Sequence, residues 1–438
     1  MCLANLISGI ISIPKMNLSN RIYAQYEIET AFPVEEAIAT MAGEQSSGTF
    51  LQIPGETDEL KEKSGAQIEW IRETGTVNSP SLPGARTPKG ETNPVWRRAQ
   101  TRVSWPIDNM GPSLPNLWAT VAGNLFELQQ FSGLRLIDLA LPEAFRDAYL
   151  GPQFGVAGTR RLTGVEGRPL IGTIVKPSVG LSPEATAALV AELVEGGIDF
   201  IKDDELQADG PHCPFAQRVE AVMRVINNHA DRTGKKVMFA FNLTGEIDQM
   251  LTRHDLVLRH GGTCVMLSLN STGLPGLAYL RRHCQLPIHA HRNGWGLFQR
   301  SPHIGLSYLA YQKFWRLAGV DHMHVNGLRN KFCEADESVL ASARECLTPM
   351  FSGQGRGCEV MPVFSSGQTV RQTADTFYGL GCPDLIYAAG GGLVAHPGGV
   401  AAGVRAMHQS WQATMSGIDI QEHASTNLEL RQALEKYA

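Results

Sequence analysis

The chain has 438 residues, 43% of them apolar, which is enough for a barrel-sized core and one smaller domain. Its 38 Lys and Arg against 43 Asp and Glu leave a formal charge of -5 with no basic block or acidic tail behind it; this argues against nucleic acid or a membrane surface as partner and leaves a small molecule as the expected ligand. The eight cysteines are scattered without a Cys-x-x-Cys pair and read as reduced, mostly buried thiols of a cytoplasmic protein.

Residues 1–20 contain a short apolar stretch with no basic run before it and no Ala-x-Ala after it, and are read as an N-terminal extension ahead of a start at Met16. No later run is apolar for the ~20 residues that a bilayer span requires. Residues 21–147 mix short strands and helices, beginning with an extended run from Ile22 to Glu29 and a helical segment from Val34 to Ala42, and predict a compact α+β domain of the ferredoxin-like kind. Asn78 to Pro94 is rich in Pro, Gly, Ser and Thr and reads as a long surface loop.

Residues 148–438 have a different texture, in which short β-rich runs ending in polar residues or glycine alternate with longer amphipathic stretches. The predicted strands are Leu170 to Val175, Phe200 to Lys202, Val237 to Asn242, Cys264 to Leu269, Pro287 to Arg292, His322 to Val325, Glu359 to Phe364 and Asp384 to Ala388. Ser182-Pro-Glu opens one helix with a cap and a proline in its first turn, and Pro302 to Leu317 reads as another. Eight βα units over roughly 270 residues predict a (β/α)8 barrel, with reacting groups at the C-terminal ends of its strands.

Several strand ends carry chemistry. Strand two ends Lys202-Asp203-Asp204-Glu205, where alternation puts Lys202 and Asp204 on one side. Such a string is commonly a surface ion pair; its other reading is a hard-metal site of carboxylate oxygens joined by a lysine carbamate. Strand one ends Lys176-Pro177-Ser178, a lysine placed to act as acid or base or simply to be solvated. Strands five and six present His289-Ala-His291-Arg292 and His322-Met-His324. Each pair shares a side, His289 and His322 are expected to be buried structural residues, and the ligand spacing of familiar zinc sites is missing. Strand eight ends Gly390-Gly391-Gly392 and strand seven Ser365-Ser366-Gly367, where barrels of this kind grip phosphate with backbone N–H groups.

In this order the motifs resemble the RuBisCO large-chain family over nearly the whole chain, including Gly43-Glu44-Gln-Ser-Ser-Gly48-Thr49-Phe50 and Gly123-Asn124 in the first domain. The resemblance implies Mg2+ held by Asp204, Glu205 and Lys202 carbamylated by CO2, Lys176 as proton donor to an enediolate carbon, His291 as proton shuttle and Lys331 as carboxylate ligand. It implies one phosphate site at Arg292, His324 and Ser365 and another at Thr49, Gly367, Gly390 and Gly391. It also implies a homodimer or larger homo-oligomer in which Glu44 and Asn124 complete a partner's site.

Ser178 stands where carboxylating members have a second lysine; likewise Phe50 replaces tryptophan, Trp295 histidine and Ser366 glycine. These departures resemble the RuBisCO-like proteins rather than CO2-fixing enzymes. The retained groups imply the reverse of carboxylation, decarboxylation of a 3-keto sugar-acid phosphate such as 3-oxo-isoapionate 4-phosphate through an enediolate held by the metal. The alternatives are an enolase or isomerase acting on a sugar 1-phosphate, for which those enolases carry a lysine at the place of Asn124, and a barrel that only binds. Retention of the clustered buried charges counts against the last.

Overall fold

The computed structural model describes residues 20–48, 53–351, 353 and 355–437. Thr49, and with it the start proposed at Met16, lies outside the described residues.

The chain forms two compact units. The first comprises the chain up to Ala148 together with Leu297–Tyr311. Its sheet has the strands β1 (Arg21–Thr30), β2 (Gln67–Val77), β3 (Trp96–Pro106) and β4 (Gly133–Ala140), joined by β10 (Ile304–Leu306) in the order β10-β4-β1-β3-β2. β1 runs antiparallel to β3 and β4, whereas β10 is parallel to β4. Helices Val34–Glu44 and Leu114–Ala122 bury Val34, Ile38, Met41, Leu117 and Val121 at helical spacing. Between β2 and β3 the stretch 78–95 has no helix or strand, as its turn-forming composition predicts.

The second unit is a closed parallel barrel of β5 (Leu170–Ile174), β6 (Phe200–Lys202), β7 (Met238–Asn242), β8 (Cys264–Ser268), β9 (Ile288–His291), β11 (His322–His324), β12 (Met361–Phe364) and β13 (Ile386–Ala388). Each lies within one predicted strand; β6 matches its prediction at both ends and the other seven lose one or two residues, where the ladder gives way to loop. Its interior is filled by Leu170, Phe200, Met238, Ala240, Met266, Met361, Val363, Ile386 and Ala388.

The helix expected over Pro302 to Leu317 needs correction. It starts at Tyr308 and runs to Ala318, and the residues before it form β10. Gly305 sits at φ +106 with its missing side chain directed at the Phe298 carbonyl, 1.9 Å from where a Cβ would stand, so the chain there is held in a conformation no helix uses. Five cysteines, Cys213, Cys264, Cys284, Cys346 and Cys358, are buried and free, Cys382 is half-buried and Cys333 is exposed. No described helix is long and apolar enough to cross a membrane.

Candidate active site

Alternation along β6 decides which groups enter the barrel. Phe200 belongs to the interior cluster, so Lys202 and Asp204 follow it inward. Asp203 points the other way and is held by Arg218 (3.2 Å), from helix Phe215–Thr233, and by the Asn242 backbone N–H (2.9 Å). The side-chain amide of Asn242 donates to the carbonyls of Asp204 and Glu205, each at 3.3 Å, and so fixes the strand exit.

Lys202 is fully buried, its Nζ 2.7 Å from the Asp203 carbonyl and 3.6 Å from Glu205 Oε2. Burial holds its ammonium below the ordinary lysine value, against the opposing pull of Glu205 and Asp204. From β5, Lys176 Nζ donates to Asp204 Oδ2 at 2.7 Å and to Ser178 Oγ at 2.8 Å. From β9, His291 Nε2 stands 3.4 Å from Glu205 Oε2. Burial, with Lys202 beside it, lowers His291 to about 4, while His291 and Lys202 hold Glu205 at about 2 despite its partial burial. One pocket therefore gathers two lysines, two carboxylates and an imidazole.

This donor set fits a hard divalent cation. Asp204 and Glu205 offer carboxylate oxygens, both already occupied by lysine or histidine nitrogens, and the buried Lys202 amine beside them can carry a carboxyl group as a third oxygen donor. A separate cluster on the barrel's helices, His254, Asp255 and His283, brings its ligand atoms within 4.8 Å of one another. Its geometry suits a proton-sharing triad better than a metal: the Gln285 backbone N–H donates to His254 Nε2 (3.1 Å), which leaves the His254 proton on Nδ1, pointed at Asp255 (2.9 Å).

The histidines of β9 and β11 form two layers. In the lower one, His289 and His322 pack on Phe200 with ring centroids 4.9 and 5.9 Å away, and both are fully buried as expected. In the upper one, His291 and His324 lie 4.8 Å apart. His324 Nδ1 is 2.9 Å from Ser365 Oγ, after β12, and its Nε2 is 2.7 Å from His289 Nε2. Arg292 is paired at 3.6 Å with the buried Glu334, which also accepts from Asn326 Nδ2 (2.6 Å). Asn326 and Ser366, two residues beyond β11 and β12, hold left-handed φ values of +81° and +71°.

Gly390 lies against Ile174 and Lys176, and the turn Gly391–Val394 follows it with its first intrahelical bonds made by Leu393 and Val394, ahead of which the N–H groups of Gly391 and Gly392 precede the ladder. Gly367 lies beside the backbone of Lys331, whose Nζ is 5.3 Å from the Phe332 ring. Thus Lys176, Lys202, Asp204, Glu205 and His291 converge, as do His324 and Ser365. Glu44 and Asn124 lie exposed on the first unit, where Gln45, with its amide turned to suit, donates to the Ala119 carbonyl and accepts from the Asn124 N–H. Glu334, Asn242 and Arg218 were not anticipated. A cavity of about 540 Å3 at the N-terminal ends of β12 and β13, lined in part by Phe154, Cys358, Glu359 and Asp384, contains none of the predicted residues.

Comparison with known proteins points to one family. Residues 155–437 match the catalytic domain of the ribulose bisphosphate carboxylase large chain, and residues 16–145 match its N-terminal domain. The chain is 56% identical over 417 residues to a 3-oxo-isoapionate-4-phosphate transcarboxylase/hydrolase of Xanthobacter autotrophicus, covering 95% of this chain and 99% of that one. It is 43% identical over 415 residues to a 3-oxo-isoapionate-4-phosphate decarboxylase of Rhizobium etli, covering 94% and 98%. The crystal structure of a rubisco-like protein from Burkholderia fungorum superposes with a TM-score of 0.88 at 45% identity, over 95% of this chain and 99% of that chain.

Proposed function

The chain belongs to the ribulose bisphosphate carboxylase large-chain family, and from that premise we propose that this enzyme decarboxylates a β-keto sugar-acid phosphate of the 3-oxo-isoapionate 4-phosphate type. The observation that carries the reading is the convergence of Lys176 and Lys202 on Asp204 and Glu205 at the barrel mouth. The names of the relatives from X. autotrophicus and R. etli supply the substrate class.

In its uncharged form the Lys202 amine would add CO2 and release a proton, giving an anionic carbamate that would join Asp204 and Glu205 in holding Mg2+; burial, which lowers the lysine's proton affinity, favours that form. Mg2+, when bound there, supplies a hard cation that polarises the substrate's keto and hydroxyl oxygens and offsets negative charge gathering on them. The substrate's carbon–carboxylate bond breaks, its electron pair passes into the enediolate and CO2 leaves. Lys176, pinned by Asp204 and Ser178, delivers a proton to the enediolate carbon. His291 holds or moves the hydroxyl proton. Lys331 takes the carboxylate before it departs. Arg292, His324 and Ser365 hold the phosphate, and Thr49, Gly367, Gly390 and Gly391 form the second anion site. The site is completed in a homo-oligomer by Glu44 and Asn124 of a neighbouring copy.

The name of the relative at 56% identity favours a second fate for the same enediolate. Instead of a proton, its other carbon takes up the released CO2; water then adds to the adjacent carbonyl, the bond between that carbonyl carbon and the newly carboxylated carbon breaks, its electron pair takes up a proton, and two smaller acids result. Substrate labelled with 13C at the carboxylate separates the two: decarboxylation sends the label into CO2 and leaves one unlabelled ketose phosphate, whereas transfer keeps it in one of two fragments. Lys202→Ala should lose about a thousandfold in kcat/KM in either case while melting normally. If wild-type protein turns over neither way but passes solvent deuterium into a sugar phosphate, the isomerase reading replaces both.

A further inference from the structure

Ser365, His324 and His289 form one chain of hydrogen bonds whose direction depends on the tautomers of the two histidines. Ser365 Oγ lies 2.9 Å from His324 Nδ1, and His324 Nε2 lies 2.7 Å from His289 Nε2. A neutral imidazole carries one N–H, so only two arrangements are possible. In one, His324 donates to His289; His289 must then carry its proton on Nδ1, which is buried and has no partner among the described residues. In the other, His289 donates from Nε2, and its Nδ1 is left as a bare lone pair. The first leaves a buried N–H with no acceptor and the second leaves a buried lone pair with no donor, the less costly of the two defects.

The consequence runs outward along the chain. When His324 Nε2 accepts, its proton is on Nδ1 and is given to Ser365 Oγ, so His324 serves the phosphate site through the Ser365 hydroxyl and not with a donor of its own. The Ser365 hydroxyl, with that lone pair filled, keeps its own proton free to donate away from the barrel. In the opposite arrangement the Ser365 proton is spent on His324, and the hydroxyl presents lone pairs alone, which repel an anion.

We propose that His289 is a positioning residue for phosphate binding: by donating to His324 it sets a one-way relay, His289 to His324 to Ser365, that turns the Ser365 hydroxyl into an obligate donor toward the substrate's phosphate. The proposal rests on the reading of Ser365 as a phosphate ligand. It gives His289, deep in the barrel and out of reach of any substrate, a reason to be histidine that packing alone does not.

The direct test is long-range 1H–15N correlation on the intact protein labelled with 15N-histidine, with His289→Gln used for assignment. The relay requires a proton on Nε2 of His289 and on Nδ1 of His324; a proton on His324 Nε2 overturns it. Titration with inorganic phosphate provides the functional arm. His289→Leu should weaken phosphate on the order of fivefold, the loss of one hydrogen bond's net worth. His289→Gln, whose amide can still donate to His324, should restore most of it. If both variants weaken phosphate equally, the side chain acts only as packing and the proposal fails. Ser365→Ala separates the underlying assumption: unchanged phosphate affinity there removes Ser365 from the anion site, and the relay loses its purpose even where the tautomers are as assigned.

Discussion

Ser178 determines what surrounds Lys176. The position that holds a second lysine in carboxylating members of the family here offers a hydroxyl 2.8 Å from Lys176 Nζ, so an acceptor replaces a like charge. Together with Asp204 it fixes the ammonium in one place. If Lys176 is the proton donor as proposed, Ser178→Ala should lower kcat about fivefold with KM within twofold, because the lost hydrogen bond positions that donor and does not hold substrate; steady-state kinetics on the two parameters reads this. A second prediction concerns His322, fully buried, its Nε2 against Thr159 Oγ1 at 2.8 Å and its proton affinity lowered by burial from 6.5 to about 3. Above pH 6.5 neither folded nor unfolded chain holds that proton, and the full stability is present. As pH falls below 6.5 the unfolded chain takes it up and the folded one does not until about 3, so stability declines through that window, by up to about 2 kcal/mol between pH 6.5 and 5. Denaturant melts should show a smaller drop over that range in His322→Asn; an unchanged drop would assign the acid sensitivity elsewhere. Period two alone put Lys202 with Asp204, His289 with His291 and His322 with His324 on shared sides; that the side of Lys202 and Asp204 is the inner one follows from Phe200 in the folded barrel. Glu334, which neutralises Arg292, could not: it lies in a loop without periodicity, and only the folded chain shows which cation it meets.

At the scale of elements, the eight barrel strands were legible because each is a short β-rich run buried on both faces and closed by a polar or glycine exit. β10 was not. Its three residues carry Gly305 at their centre and end one residue before the helix Tyr308–Ala318, so no turn signal sets them apart from it. The turn after β13 offers a sharper test of how closely the loops interlock. A Cβ on Gly392 would stand 2.1 Å from the Gln368 carbonyl oxygen, a backbone atom that cannot rotate aside. Gly392→Ala must therefore push the β13 turn away from the β12 loop, at a cost of about 1–3 kcal/mol. The expected outcome is a lower melting temperature together with roughly tenfold higher KM for the phosphorylated substrate. A variant with wild-type KM would show that the Gly390–Gly392 turn does not hold the phosphate.

For the molecule as a whole, the telling feature is where the chain goes after β9. It leaves the barrel at Leu297, gives β10 to the sheet of the first unit, and returns at Gln312. Residues 20–148 expressed alone would lack β10, leaving the β4 edge open for pairing between copies. That fragment should aggregate on size-exclusion chromatography, and fusing residues 297–311 to it through a flexible linker should return a monodisperse species. The same itinerary bears on how such a gene can be recombined. The two regions matched to family domains, residues 16–145 and 155–437, look like interchangeable cassettes joined near residue 150, yet a crossover there would take four strands of one sheet from one parent and the fifth from the other. Chimeras between relatives should therefore succeed only when the 297–311 segment travels with the first 148 residues, so that descent of the two stretches is coupled although about 150 positions separate them in the gene.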